Sequence, residues 1–341
     1  MKLNRIKVAF VILLILFAAF NASAQISVID DLQKGVVNFS ETLAKSLPFN
    51  SSLGLAWSDA YIGKFLPSMP PHFGVGAVFG VTTLSVPGLQ NVTKLLGYAF
   101  PDSRIKLMND RIILPAWALE ARLGGIFLPF DVGVKFGMMP DKNWGKLPYD
   151  IKYKMAGADL RWSILDGKTK KLLPNLSFGI GFNYLSGGLG VTVGKDTNFM
   201  VDTKMLTIES PKIGLLWETK GVEAKIHLSK SILIITPYLG MAAGYSWSQA
   251  GYEVKSDILI DGSPISAADK AFIKNYLSGN KLESMNFIDN GISTMVKNKA
   301  WNFRAFGGMS FNIMILKLDL GVMYNILDKQ FGASLGARIQ L

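Results

Sequence analysis

From Phe73 onward, hydrophobic and polar positions alternate with a period of two. Phe73, Val75, Ala77, Phe79 and Val81 stand against His72, Gly74, Gly76, Gly80 and Thr82, with Val78 as the one interruption. The pattern returns at 117–124, 130–138, 157–164, 176–184, 222–229, 303–311, 318–324 and 331–341. Only a strand sends successive side chains to opposite faces, so each segment is a predicted strand with one apolar face. The segments run about 10 to 13 residues, which suits a tilted bilayer-crossing strand better than the five or six of a globular sheet. A soluble β-sandwich also alternates. Against it, Trp117, Trp162, Trp217, Trp247 and Trp301 fall towards predicted strand ends, where an interfacial aromatic girdle sits.

The expected fold is therefore all-β: a transmembrane, up-and-down antiparallel β-barrel of about 12 strands, or 14 if Ser52–Ile62 or the region around Met200 adds strands. The longest connections, near 85–114, 140–150 and 261–300, fall on one side and are assigned to the exterior. The last carries a predicted short helix, Ala267–Leu277.

Ahead of the strands the period is helical. Ile29, Leu32, Val36, Phe39, Leu43 and Leu47 share one face, with Ser27 and Asp30 as caps and Pro48 as the stop. Residues 25–50 are thus predicted as an amphipathic helix that either plugs the barrel or packs on its periplasmic end. Earlier still, Lys2, Arg5 and Lys7 precede the apolar run Val8–Phe20 and the small-residue site Ala22-Ser23-Ala24. That is the form of a signal peptide over 1–24, leaving 51–341 for the barrel. At about 13 residues the run is short of the roughly 20 that a membrane-spanning helix needs.

Composition narrows the class. The chain has 341 residues, 49% of them hydrophobic and 18% charged, with 34 glycines, a balance too apolar for a typical soluble enzyme. It has no cysteine, which excludes a lipidated N-terminal cysteine, disulfides and thiolate metal sites. The formal charge of +11 falls to +8 without the leader, and the basic residues are scattered, without the stripe and interleaved aromatics of a nucleic-acid binder.

Candidate catalytic motifs are weak. Gly332-Ala333-Ser334-Leu335-Gly336 fits a nucleophile elbow, but too few residues follow to form its helix, acid and histidine. His227-Leu228-Ser229 puts an imidazole and a hydroxyl on one strand face with no third group to orient them. Only His72 and His227 are present, Asp257 and Asp261 have no specific calcium spacing, and Gly187-Gly188-Leu189-Gly190 lacks the lysine of a phosphate loop. No catalytic, cofactor-binding or metal-ligating residue is assigned, and no enzyme activity is expected.

The informative set is charged. Glu120, Arg122, Asp131, Lys135, Asp159, Arg161, Glu223, Lys225, His227, Arg304, Lys317, Asp319 and Arg338 all fall opposite the apolar face. At mid-membrane a lipid-facing charge costs a few kcal/mol, so these residues must line the lumen. They either select solutes by charge or form a salt-bridge network that closes the lumen.

Two stretches carry a resemblance. Ser334-Leu335-Gly336-Ala337-Arg338-Ile339-Gln340-Leu341 resembles the C-terminal recognition signal of outer-membrane barrels, with leucine in place of the more familiar terminal phenylalanine. It implies delivery to the barrel-assembly machinery. The glycine-aromatic strands, the helix followed by Leu53-Gly54-Leu55-Ala56-Trp57, and the Leu173-Pro174 turn look like an uncharacterised family of outer-membrane barrels, distantly similar in plan to the long-chain fatty-acid transporters. That resemblance implies an exported protein in outer-membrane lipid, working as a passive channel or transporter for small solutes, hydrophobic ones included. The alternative is a surface-exposed adhesin or structural barrel with a closed lumen.

Overall fold

Ten strands pair antiparallel in sequence order: β1 (His72–Ser85), β2 (Arg111–Gly124), β3 (Phe130–Met139), β4 (Tyr149–Leu165), β5 (Asn175–Thr192), β6 (Lys212–Ser229), β7 (Ile235–Lys255), β8 (Gly291–Ile313), β9 (Leu316–Asn325) and β10 (Gln330–Gln340). β10 then pairs with β1, from Gly74 opposite Gln340 to Thr82 opposite Gly332, so the sheet closes and leaves no free edge. This computed structural model describes residues 26–63, 71–85, 111–125, 129–139, 149–165, 173–192, 197–201, 204–208, 212–255, 258–260, 262–264, 266–267, 286–288 and 291–341. The predicted leader and nearly all of the predicted helix Ala267–Leu277 lie outside these residues.

The count of about 12 strands is corrected to ten. Ser52–Ile62 is irregular chain, not strand. The region around Met200 does form strands, Thr197–Val201 and Lys204–Ile208, but they join Ile258–Ile260 and Ser263–Pro264 in a separate four-stranded sheet. The barrel strands are also longer than the periodicity suggests: β7 has 21 residues and β8 has 23. β7 escapes a period-two reading because Gly240, Ala242, Ala243, Gly244, Ser246, Ser248, Ala250 and Gly251 put small residues on both faces.

The connections β1–β2, β3–β4, β5–β6 and β7–β8 fall at one end, which thus holds all three of the expected long loops. The first is shortened because β2 starts at Arg111, and the last because β8 starts at Gly291. The connections β2–β3, β4–β5, β6–β7 and β8–β9, each under ten residues, lie at the other end, the short-turn end, where β1 begins and β10 finishes.

The helix α1 (Ile26–Ser51) continues past Pro48, the predicted stop. It ends when the Ser51 hydroxyl and the Ser52 amide both donate to the Pro48 carbonyl. Its side chains are described from Val37 on, so Ile29, Leu32 and Val36 are not placed. Leu43, Ala44 and Leu47 are buried against Val78, Leu84, Ala116, Ala118, Met155, Leu185 and Ala250 of the inner wall. Burial of each leucine stabilises by about 1.5–3 kcal/mol. From the long-loop end, where Gln330 donates to Ser46, the chain descends through Asn50, which donates to Thr82. It then runs as irregular backbone to Ile62, whose amide donates to Asp131 at the short-turn end.

An ionic lumen as the candidate functional site

The wall strands present alternate residues inward, and every member of the predicted charged set points into the lumen. On β3, Val132, Val134 and Phe136 face outward while Asp131 and Lys135 are buried. On β6, Val222, Ile226 and Leu228 are exposed, and Lys225, His227 and Ser229 are buried.

Register turns these positions into contacts. Pairing puts Asp131 opposite Arg161, next to Gly133 opposite Arg122. Arg122 reaches Asp131 at 2.5 Å and Asp159 at 2.7 Å; Arg161 reaches Asp131 at 2.8 Å; Lys225 reaches Asp159 at 2.5 Å. Gly133 makes room for this cluster, since a Cβ there would lie 2.5 Å from both Arg122 Nη2 and Asp159 Oδ1. Arg304 pairs with Glu223 at 2.9 Å, and Arg338 pairs with Asp319.

The remaining capacity of these groups is directed at residues 51–63, which occupy the space they surround. Glu120 accepts from the Leu55 amide and from Trp57 Nε1. Lys135 donates to the carbonyls of Ser51 and Leu53, placing an ammonium at the C-terminus of α1, where the helix dipole favours a cation. Arg161 donates to the Asp59 carbonyl at 2.8 Å, and Ser229 accepts from the Ala60 amide. The Asp59 carboxylate pairs with Lys317 at 2.6 Å and Arg338 at 3.1 Å. The Trp57 ring lies 4.7 Å from the Arg338 guanidinium and 5.5 Å from that of Arg122, two cation–π contacts. Gly54 turns the chain with φ +87°, and a side chain there would strike Glu120.

Thus all thirteen predicted residues face inward, and ten of them share one ionic and hydrogen-bonded system with the threaded segment, while Arg304 and Glu223 form a pair of their own. His227 stands apart. Its ring is buried edge-on against Tyr238 and Phe306, and neither nitrogen has a hydrogen-bond partner among the described residues. Ser229 Oγ accepts from the Ala60 amide and makes no hydrogen bond to His227, so the two side chains that share a strand face form no dyad. The Gly332–Gly336 motif lies within β10 with no turn to present its serine. Asp257 and Asp261 fall outside the described residues.

Sequence reasoning missed Asp59 and Trp57 as partners of this system. Asp59 is the one charged residue between Ser51 and Gly63, and that lone acid in an aperiodic stretch is the available signal. Of the five tryptophans assigned to a girdle, Trp162, Trp247 and Trp301 are exposed on the outer surface, whereas Trp117 and Trp217 are half-buried and pack against the core cluster. At the long-loop rim, partial burial pushes the Asp328 carboxyl up, against the opposing pull of Asn325 and Lys45.

Because the chain lacks cysteine, one introduced thiol reports on the lumen without background. Ser58 is fully buried. A Ser58→Cys thiol in the folded, bilayer-embedded barrel is expected to resist a water-soluble maleimide and to label readily in urea. Equal labelling in both states would mean that water reaches the segment.

No family model and no curated protein matches this chain. Among solved structures, the attachment invasion locus protein Ail of Yersinia pestis is 10% identical with a TM-score of 0.28, over 80% of this chain and 100% of that one. The outer-membrane protease OmpT of Escherichia coli is 7% identical with a TM-score of 0.35, over 80% and 97%. The monoaromatic hydrocarbon channel TodX is 7% identical with a TM-score of 0.22, over 79% and 88%. These are outer-membrane β-barrels. Likeness at this level assigns no activity.

Proposed function

We propose that this protein is an outer-membrane barrel whose lumen is sealed by its own N-terminal segment and which works through the face that carries its long loops. The observation that carries the reading is the threading of residues 51–63 through the ionic lumen, where Glu120, Arg122, Lys135, Arg161, Ser229 and Arg338 all bind it. A solute path would require that segment to leave, and Glu120, Lys135 and Ser229 would lose the partners that it supplies. The outward apolar band, unbroken around a closed sheet, supports residence in lipid.

The loop face has structure of its own. The β5–β6 connection and the chain beyond β7 are tied together by Ile258–Ile260 pairing with Lys204–Ile208, which makes a small sheet out of two loops. A fixed platform of this kind suits contact with a partner at the cell surface. α1 enters the lumen from the same end.

Epitope tags test the arrangement. On intact cells, a tag inserted before Ile26 and another at Gly262 are expected to bind antibody, and one in the turn at Met314 is expected to bind only after the outer membrane is permeabilised. The reverse pattern would refute the orientation.

A further inference from the structure

The outward face of β4 to β8 changes character along three successive register rows. In the first row, Phe182, Val222, Tyr245 and Trp301 stand side by side. In the next, Tyr184 precedes Lys220, Trp247 and Lys299. In the third, Lys154, Ser186, Glu218, Gln249 and Lys297 form a line across five strands. The apolar belt thus gives way, through an aromatic step, to a basic one on the side nearer the long loops.

The aromatic step is a contact cluster. The Tyr245 ring lies 5.1 Å from Trp247 and 5.3 Å from Trp301, and Trp301 stacks 6.2 Å from Phe303. Such rings mark the boundary between hydrocarbon and headgroup. Lys154, Lys220, Lys297 and Lys299 are exposed, and none forms an ion pair among the described residues. The one acid in the rows, Glu218, accepts from Gln249. Lys220 and Lys299 flank Trp247 two strand spacings apart, about 10 Å at the backbone.

We infer that this lysine array binds the phosphate groups of anionic lipid headgroups in the leaflet nearer the long loops, with preference for headgroups carrying two phosphates. The reasoning rests on the membrane reading given above. The height of the array, directly above the aromatic boundary, is where headgroup phosphates lie, and its four unpaired ammonium groups outnumber its one acid. Lysine suits the task as a mobile point charge on a long apolar stem that can lie along the belt. The same groups could meet free phosphate, but only a lipid also occupies the apolar rows beneath them.

The test is native mass spectrometry of the detergent-purified barrel mixed with phosphatidylcholine, phosphatidylglycerol or cardiolipin. Wild-type protein is expected to retain cardiolipin over phosphatidylglycerol over phosphatidylcholine, with retention falling as salt is raised. The quadruple variant Lys154→Gln, Lys220→Gln, Lys297→Gln and Lys299→Gln is expected to lose the cardiolipin preference by at least about tenfold, consistent with the contribution of each basic residue near an anionic surface. Lys230→Gln, at the short-turn end, is expected to leave the preference intact. These four side chains are exposed, so the folded band on gels should persist. Equal retention of the three lipids, an unaltered quadruple variant, or displacement of cardiolipin by millimolar inorganic phosphate would overturn the inference. A protein that enters micelles without a headgroup preference refutes the array alone; one that stays in solution without detergent refutes the membrane reading itself.

Discussion

Replacement of Asp131 by alanine is expected to lower the unfolding free energy of the bilayer-embedded barrel by about 3–5 kcal/mol, the cost of leaving buried charge uncompensated. Asp131 is wholly buried and accepts from Arg122, from Arg161 through two donors, and from the Ile62 amide. Its loss strands two guanidinium groups and frees the lower end of the threaded segment in one step. Urea unfolding in vesicles, followed by tryptophan fluorescence, measures the change. Val134→Ala, on the outer face of the same strand, is the comparison and is expected to cost far less, since that side chain is half exposed to begin with. Equal costs for the two variants would mean that the ionic core contributes nothing beyond ordinary packing.

Deletion of residues 26–62 is expected to convert a tight barrel into a leaky one. The segment supplies the helix face that fills the long-loop half and the irregular chain that fills the other half. Without it the wall keeps Arg122, Asp131, Asp159 and Arg161 paired among themselves, while Glu120, Lys135 and Lys317 lose their partners in the segment and take up water. Liposomes carrying the deletion variant should swell in a small neutral sugar, and those carrying the full-length barrel should not. Asp59→Ala, which removes the carboxylate that Lys317 and Arg338 hold, is expected to give intermediate leakage and guards against a deletion that fails to fold.

The strand faces were legible from period two because one face meets hydrocarbon and the other cannot. That asymmetry placed Arg122, Asp131, Asp159 and Arg161 inward without any structure. Strand number was less legible. Alternation vanishes where both faces carry small residues, as along β7, and strands of the length of β8 pass beyond the band in which lipid enforces a pattern.

The threaded segment was legible as a helix only in part. Its lower half, from Ser51 to Gly63, has neither period, because its conformation is set by hydrogen bonds from the wall and not by a face of its own. Sequence left two outcomes open for the charged lining, a solute filter or a closed network. What separates them is Leu55, Trp57 and Asp59, whose partners are 63 or more residues away in the chain and invisible to any local reading.

The central claim is that the native lumen is blocked, and single-channel recording in planar bilayers tests it most directly. Full-length protein, shown by thermal band shift to be folded, should insert without conductance steps at either polarity. Regular steps from that same preparation, equal in size to those of the variant lacking residues 26–62, would contradict it.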